Sequence, residues 1–296
     1  MNPKHPVVCF GEVLWDILPG GAVPGGAPMN VAFHLQQLKK NPVLITKIGN
    51  DEEGRKLKTI FSKRGVCTDF FQIDECYETG KVYGRPNDDD EMVYDIVKPS
   101  AWDFIDLQNN HTDLVQQADY FVYGSLAART QHTGRTLFQL LEAAKKPVLD
   151  INLRIPHFTP QLLRELLSKA QFLKLNQTEL KFVSSWFCDY KLIEEQMQVV
   201  MERFHIADMV VTMGEHGAVL NMNQTFYRQE GFNVTVADTV GSGDAFLAGL
   251  LSKLLEGKSG QEALEFACVI GSFIATKHGA CPMYELHDIK IPMETC

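Results

Sequence analysis

Apolar positions along the chain fall into short blocks whose spacing switches between two and three-to-four residues. Val7 to Glu12 reads as a short apolar strand, continued by Val13 to Leu18, where Trp15 and Ile17 alternate around Asp16. A Gly/Pro-rich stretch, Pro19 to Pro28, follows. Met29, Val31, Ala32, Leu35 and Leu38 then take helical spacing, Val43 to Gly49 reads as a strand, Glu52 to Arg64 as a charged amphipathic helix, and Thr68 to Ile73 as a strand. Lys81 to Arg85 and Met92 to Val97 flank the turn Pro86 to Asp90 with no helix between them, which predicts an antiparallel hairpin. From about residue 110, strands at Tyr120–Leu126, Val148–Asn152, Phe172–Leu175 and Met209–Met213 alternate with helices. Those helices cover Thr133–Ala144, Pro160–Ala170, the segment opened by Asn176, and Leu192–Phe204. A hairpin, Ala218–Met222 and Thr225–Gln229, precedes an apolar helix after Asp244 and a last helix from Gln261 to Lys277.

Such alternation predicts an α/β fold, a mostly parallel sheet with helices on both faces. Ligands of these sheets bind at the carboxyl ends of the strands. Asn152 and Arg154, Asn176 and Glu179, Thr212 and Gly214, and Gly241 to Asp244 would therefore share one rim. The hairpin between 78 and 98 lies outside this body. Alone it reads first as a surface excursion; a small β-lid over a site is the alternative. Its Asp88-Asp89-Asp90 run is a solvated turn before it is a metal site, since it lacks the ligand spacing and glycine of a calcium loop. No repeat, low-complexity segment or linker divides the chain, so residues 1–296 read as one domain.

Composition narrows the partners. The chain is 45% hydrophobic and 22% charged, enough to bury a large core. A formal charge of −9 argues against nucleic-acid and anionic-membrane partners but leaves nucleotide binding open, because backbone amides and Mg²⁺ hold phosphate locally. Seven dispersed cysteines without a C-x-x-C pair, and no signal-like or membrane-length apolar run, predict reduced thiols in a cytoplasmic protein.

The stretch Asp238-Thr239-Val240-Gly241-Ser242-Gly243-Asp244-Ala245-Phe246 carries the sharpest chemistry. Its glycines permit a tight turn, and a helix start attracts an anion such as phosphate. Asp244 at that point is locally best read as a helix cap; the alternative is a general base for phosphoryl transfer. Near the start, Gly25, Gly26 and Asn30 leave room for a ligand on bare backbone, with the amide supplying a donor and an acceptor. A dinucleotide fingerprint is missing, as Gly20 to Gly26 does not give G-x-G-x-x-G after the first strand.

Together, Gly25-Gly26-Ala27-Pro28-Met29-Asn30-Val31-Ala32 and Asp238 to Phe246 resemble the two signatures of the ribokinase-like (pfkB) carbohydrate kinases. Asn176-x-x-Glu179 and Thr212-x-Gly214-x-x-Gly217 stand between them in the same order, and Gly20 to Pro28 with Asp150 to Arg154 is most similar to the fructokinase branch. The resemblance implies a Rossmann-like body with a β-lid from roughly 12–22 and 78–100, and MgATP-dependent phosphorylation of a free sugar, most simply fructose. Ribose, 2-keto-3-deoxygluconate or a nucleoside are the other acceptors, and a non-catalytic sugar or nucleotide sensor is the alternative class.

By the same resemblance, Asp244 is the base, Gly241, Ser242 and Gly243 supply the anion hole, and Arg154 approaches the transferring phosphate or the sugar. Asp16, Gly25, Gly26 and Asn30 bind the sugar. Asn176 and Glu179 organise Mg²⁺ through water, and Thr212, Gly214 and Gly217 line the nucleotide. Asp238 and Thr239 match a monovalent-cation region, usually K⁺. The lid sheet can pair two subunits into a homodimer.

Overall fold

A computed structural model describes residues 4–18, 20–86, 92–187 and 189–289. The Asp88–Asp90 run lies outside them. The strands in chain order are β1 (Val7–Phe10), β2 (Leu14–Leu18), β3 (Gly21–Gly25), β4 (Val43–Gly49), β5 (Phe71–Asp74), β6 (Gly80–Pro86), β7 (Met92–Ile96), β8 (Tyr120–Gly124), β9 (Pro147–Asp150), β10 (Phe172–Asn176), β11 (Asp208–Thr212), β12 (Ala218–Met222) and β13 (Thr225–Gln229). The α-helices are α1 (Ala27–Gln37), α2 (Glu52–Lys63), α3 (His111–Gln117), α4 (Gln131–Leu141), α5 (Pro160–Leu167), α6 (Gln177–Ser184), α7 (Ile193–Phe204), α8 (Ser242–Leu255) and α9 (Gly260–Ala275).

Nine strands form one sheet in the order β13-β12-β11-β10-β9-β8-β1-β4-β5, parallel from β11 to β5 and antiparallel through the β12–β13 hairpin. This is the predicted α/β sheet with helices on both faces. The pleat sends successive side chains of β1 into different cores: Val7 and Cys9 join the one under α1, α8 and α9, while Val8 and Phe10 join the one under α4 to α7. That two-sided burial is why the parallel strands read as unbroken apolar runs. The β12–β13 hairpin has its predicted bounds, and Asn223 and Gln224 both take positive φ (51° and 63°), the conformation that a two-residue hairpin turn demands. Among the described residues no helix is long and apolar enough to cross a membrane.

One expectation near the start needs correction. Val13 to Leu18 does not continue the first strand: the chain leaves the main sheet after Phe10, and β2 belongs to a second, four-stranded sheet of order β3-β2-β6-β7. Within the Gly/Pro-rich stretch, Gly21–Gly25 pairs antiparallel with β2, Leu18 facing Gly21 and Leu14 facing Gly25. Pro24 is tolerated because β3 is an edge strand, where a missing N–H need not break a ladder. The short helix α3 also went unpredicted, its seven residues being too few to show a period.

The small sheet is tied to the body by buried polar contacts. Where the chain leaves β7, Arg129 donates Nε and Nη2 to the two oxygens of Asp103, both at 2.7 Å, and Nη2 to Val97 O, with its guanidinium stacked 3.8 Å over Trp102. On β2, Trp15 Nε1 donates to Glu53 O at the start of α2.

Candidate active site

All parallel strands of the main sheet end on the same edge, so the loops after β1, β9, β10 and β11 meet the start of α8 there. Gly241 is the N-cap of α8, with φ 79°, a left-handed conformation suited to glycine. A Cβ there would stand 2.6 Å from Ala280 Cα, so the turn lies directly on the C-terminal segment. The Ser242 N–H and hydroxyl both donate to Thr239 O (3.3 and 2.8 Å), so one of the three amides expected to receive an anion is already engaged.

The local cap reading of Asp244 is overturned. Asp244 is the third residue of α8, Gly241 holds the cap position, and no side-chain cap bond is made. Instead its Oδ2 accepts from Asn30 Nδ2 on α1 at 2.8 Å. Asp244 is half-buried, and lost hydration pushes its pKa up to about 7, helped by Asp150 and opposed by Lys174, Asn30 and Arg154. As the base that the resemblance implies, Asp244 would work as the carboxylate, so kcat/KM should rise with pH through about 7 and fall away on the acid side. A pH–rate profile flat from pH 5 to 8 would remove Asp244 from that role. For stability the sign is opposite: this raised carboxyl favours the fold below its unfolded value near 4 and ceases to do so as pH rises through about 7.

Asn30 is buried, and both ends of its amide meet protein: Nδ2 holds Asp244, and Oδ1 accepts from Cys281 Sγ at 3.1 Å. The geometry makes it a support for Asp244. The side-chain space at Gly25 is taken by the Asp16 carboxylate, and that at Gly26 by Glu12 O at 2.5 Å. These glycines are small so that β2 and its flanking chain can lie against them.

Asp16 is half-buried on β2; burial pushes its pKa up to about 6, and Arg154 opposes that rise. The charge of Arg154, an exposed side chain, favours the carboxylate form of both Asp16 and Asp244. Glu12, which the sequence reading passed over, is 3% exposed. Its Oε1 accepts from Ala27 N at 3.1 Å, supplying the cap that Gly26 cannot give α1, and burial pushes its pKa up to about 7.

Asn176 and Glu179 form a capping box at the start of α6: Asn176 Oδ1 accepts from Glu179 N, and Glu179 Oε2 from Asn176 N, both at 2.9 Å. Glu179 Oε1 accepts from Leu153 N, which ties the Arg154 loop to the same helix. Asp238 is a clasp, its two oxygens accepting from Val240 N and Gly279 N at 2.9 and 3.0 Å. Exposed Thr239 lines the neighbouring cavity.

That cavity, about 520 Å³, runs between the end of β11 and the start of α8, within the range of small-molecule sites. Thr212, Gly214 and Gly217 wall one side, Ser242 and Gly243 one end, and Phe232, Val236 and Ala275 supply apolar surface. The three residues expected to line a nucleotide are thus together, with two from the anion hole. Asp244, Asn176, Glu179 and Asp238 are not at its wall. Ser242 and Gly243 thus wall a ligand-sized cavity, while the next residue, Asp244, lies off its wall and is held by Asn30.

This fold is that of the sugar kinases it superposes on. A fructokinase with bound ATP from Xylella fastidiosa matches with a TM-score of 0.85 at 22% identity, over 97% of both chains. A fructokinase double mutant from Vibrio cholerae O395, in a form bound to fructose, ADP and potassium ion, matches at 0.81 and 26% over 95% of both. In sequence, a fructokinase-2 from Solanum habrochaites is 27% identical over 93% of this chain and 92% of its own. The profile of the pfkB family carbohydrate kinases matches residues 20–286, and the chain belongs to that family. It is a fructokinase-like sugar kinase, a phosphotransferase acting on an alcohol group.

Proposed function

We propose that the protein transfers the γ-phosphate of ATP to a hydroxyl of free fructose, with Asp244 as the base. The observation that carries this reading is that Asp244, held by Asn30, directly follows Ser242 and Gly243, which wall a cavity of about 520 Å³. ATP fits the cavity, its phosphates reaching the amides of Gly241 and Gly243. The sugar fits the side of Asp16, a carboxylate that accepts from neighbouring hydroxyls and makes a mismatched acceptor costly. Deprotonation by Asp244 and in-line positioning then do most of the work, as a loose phosphoryl-transfer transition state requires.

Among the described residues no three His, Cys, Asp or Glu side chains converge as a metal cage. An oxygen-only donor set at Asn176 and Glu179 suits Mg²⁺, which keeps much of its water shell. Bound Mg²⁺ supplies charge neutralisation on the phosphates. Asp238 and Thr239 are the proposed edge of a K⁺ site. Residues 1–296 act as one kinase domain in which the small sheet closes over the sugar, excluding water as a competing acceptor.

A coupled ADP-release assay across fructose, ribose, 2-keto-3-deoxygluconate and adenosine tests the reading. Fructose should give the highest kcat/KM. A higher value for another acceptor reassigns the substrate, and no turnover with any of them leaves a sugar or nucleotide sensor.

A further inference from the structure

Lys174 and Asp150 face each other in register on adjacent parallel strands, β10 and β9. Lys174 Nζ donates to Asp150 Oδ2 at 2.6 Å, both residues are buried, and Asp150 Oδ1 has no partner among the described residues. Their neighbours Leu149, Leu173 and Leu175 enter the core under α4 to α7. The pleat therefore turns Lys174 and Asp150 to the opposite face, beneath α8. The space that a side chain on Gly243 would take lies 3.3 Å from Lys174 Nζ, so the ammonium touches the underside of the first turn of α8.

A buried ion pair seldom recovers its desolvation cost, and an apolar pair of similar volume would serve packing as well. Charge at this point has another use. We propose that the Lys174–Asp150 pair is an electrostatic positioning device of the phosphoryl-transfer site: Asp150 holds the ammonium against the Gly241–Asp244 turn, where it keeps Asp244 ionised and meets the negative charge of the transferring phosphate. This rests on the kinase reading above and assigns two residues to it.

Asp244 is faced by Asn30 on α1, Glu12 after β1, Asp150 on β9, Arg154 in the loop beyond it, Lys174 on β10 and Cys281 in the C-terminal segment. Lys174 is the foremost of the groups that favour its carboxylate, ahead of Asn30 and Arg154, and Asp150 acts the other way. Removing one member of the pair should therefore move the titration of Asp244 up, and removing the other should move it down. A pair that only braced the fold would lower stability in both variants without opposite shifts.

The experiment compares wild type, Lys174→Met, Lys174→Arg and Asp150→Asn. In the pH profile of kcat/KM for fructose, the acid limb should move up by about one pH unit in Lys174→Met, move down in Asp150→Asn, and stay near wild type in Lys174→Arg. The same titration is read without turnover from the ¹³C signal of the Asp244 carboxyl in aspartate-labelled protein, assigned by its loss in Asp244→Asn. Shifts of one sign in both variants, or none, in an active enzyme overturn the proposal. Opposite ¹³C shifts in a protein that turns over no sugar sustain the pair's control of Asp244 and sink the kinase reading instead. Should Lys174→Met fail to fold, Asp150→Asn decides alone: a downward shift supports the proposal and an unmoved limb ends it.

Discussion

Asp244→Asn should lower kcat with fructose by about 10²–10⁴-fold while leaving ATP affinity and the melting temperature close to wild type or higher. The amide keeps the size of the carboxylate and can still accept from Asn30 Nδ2 through its carbonyl oxygen, so the α1–α8 contact survives. It removes a group whose ionised form is costly where it stands, as the rise of its pKa to about 7 records. A cap would behave in reverse, with stability lost and turnover largely kept. Steady-state kinetics, nucleotide titration and a thermal melt on the same preparation separate the two. Near-normal kcat in the variant would falsify the base assignment.

Gly241→Ala should damage the proposed phosphate side of the site without altering the Asp244 side chain. Alanine is strained at φ 79° by about 1–2 kcal/mol. Its methyl would also meet Ala280 Cα at 2.6 Å and Ala280 O at 2.7 Å, backbone atoms that cannot swing aside. The turn must shift, and an oriented donor lost from a transition state typically costs about 10²–10³ in kcat. We expect kcat/KM to fall by that order, with a melting temperature lower by several degrees. Unlike Asp244→Asn, the variant should keep its acid limb near pH 7, since the groups around Asp244 are unchanged. Full activity would mean that the amides of this turn receive no phosphate.

Periodicity made the main sheet legible, because strands buried on both faces are continuous apolar runs and the β12–β13 hairpin carries its own turn residues. It could not say which sheet a strand joins. Leu14 to Leu18 has the same alternation in either place, and only the departure of the chain after Phe10 decides. At the site, the glycine turn and the polar strand ends were visible as motifs, but their partners were not. Asn30 and Asp244 are 214 positions apart, and the contact that turns one into the support of the other exists only after folding. Glu179 had a local signal that went unused, since an Asn three residues before a Glu at a helix start is a capping box. Lys174 had one too: a lysine inside Phe-Leu-Lys-Leu on a buried parallel strand has no place in a core without a partner or a task.

The second sheet gives the two sides of the site unequal mechanical standing. From Ala245 to Ser252 every residue of α8 is buried, so the helix that carries Asp244 cannot unfold locally without opening the core around it. Asp16 stands instead on the four-stranded sheet, which meets the body through polar clasps, among them Arg129 with Asp103 and Trp15 with Glu53, and through the buried side chains of Leu14, Trp15, Val82 and Ile96. The sheet's outer edge, β3, with Gly21 and Ala22 exposed, opens at less cost than α8, so the two banks of the cleft loosen unequally. With the sugar bound beside Asp16 as proposed, it can pass that edge while α8 stays packed.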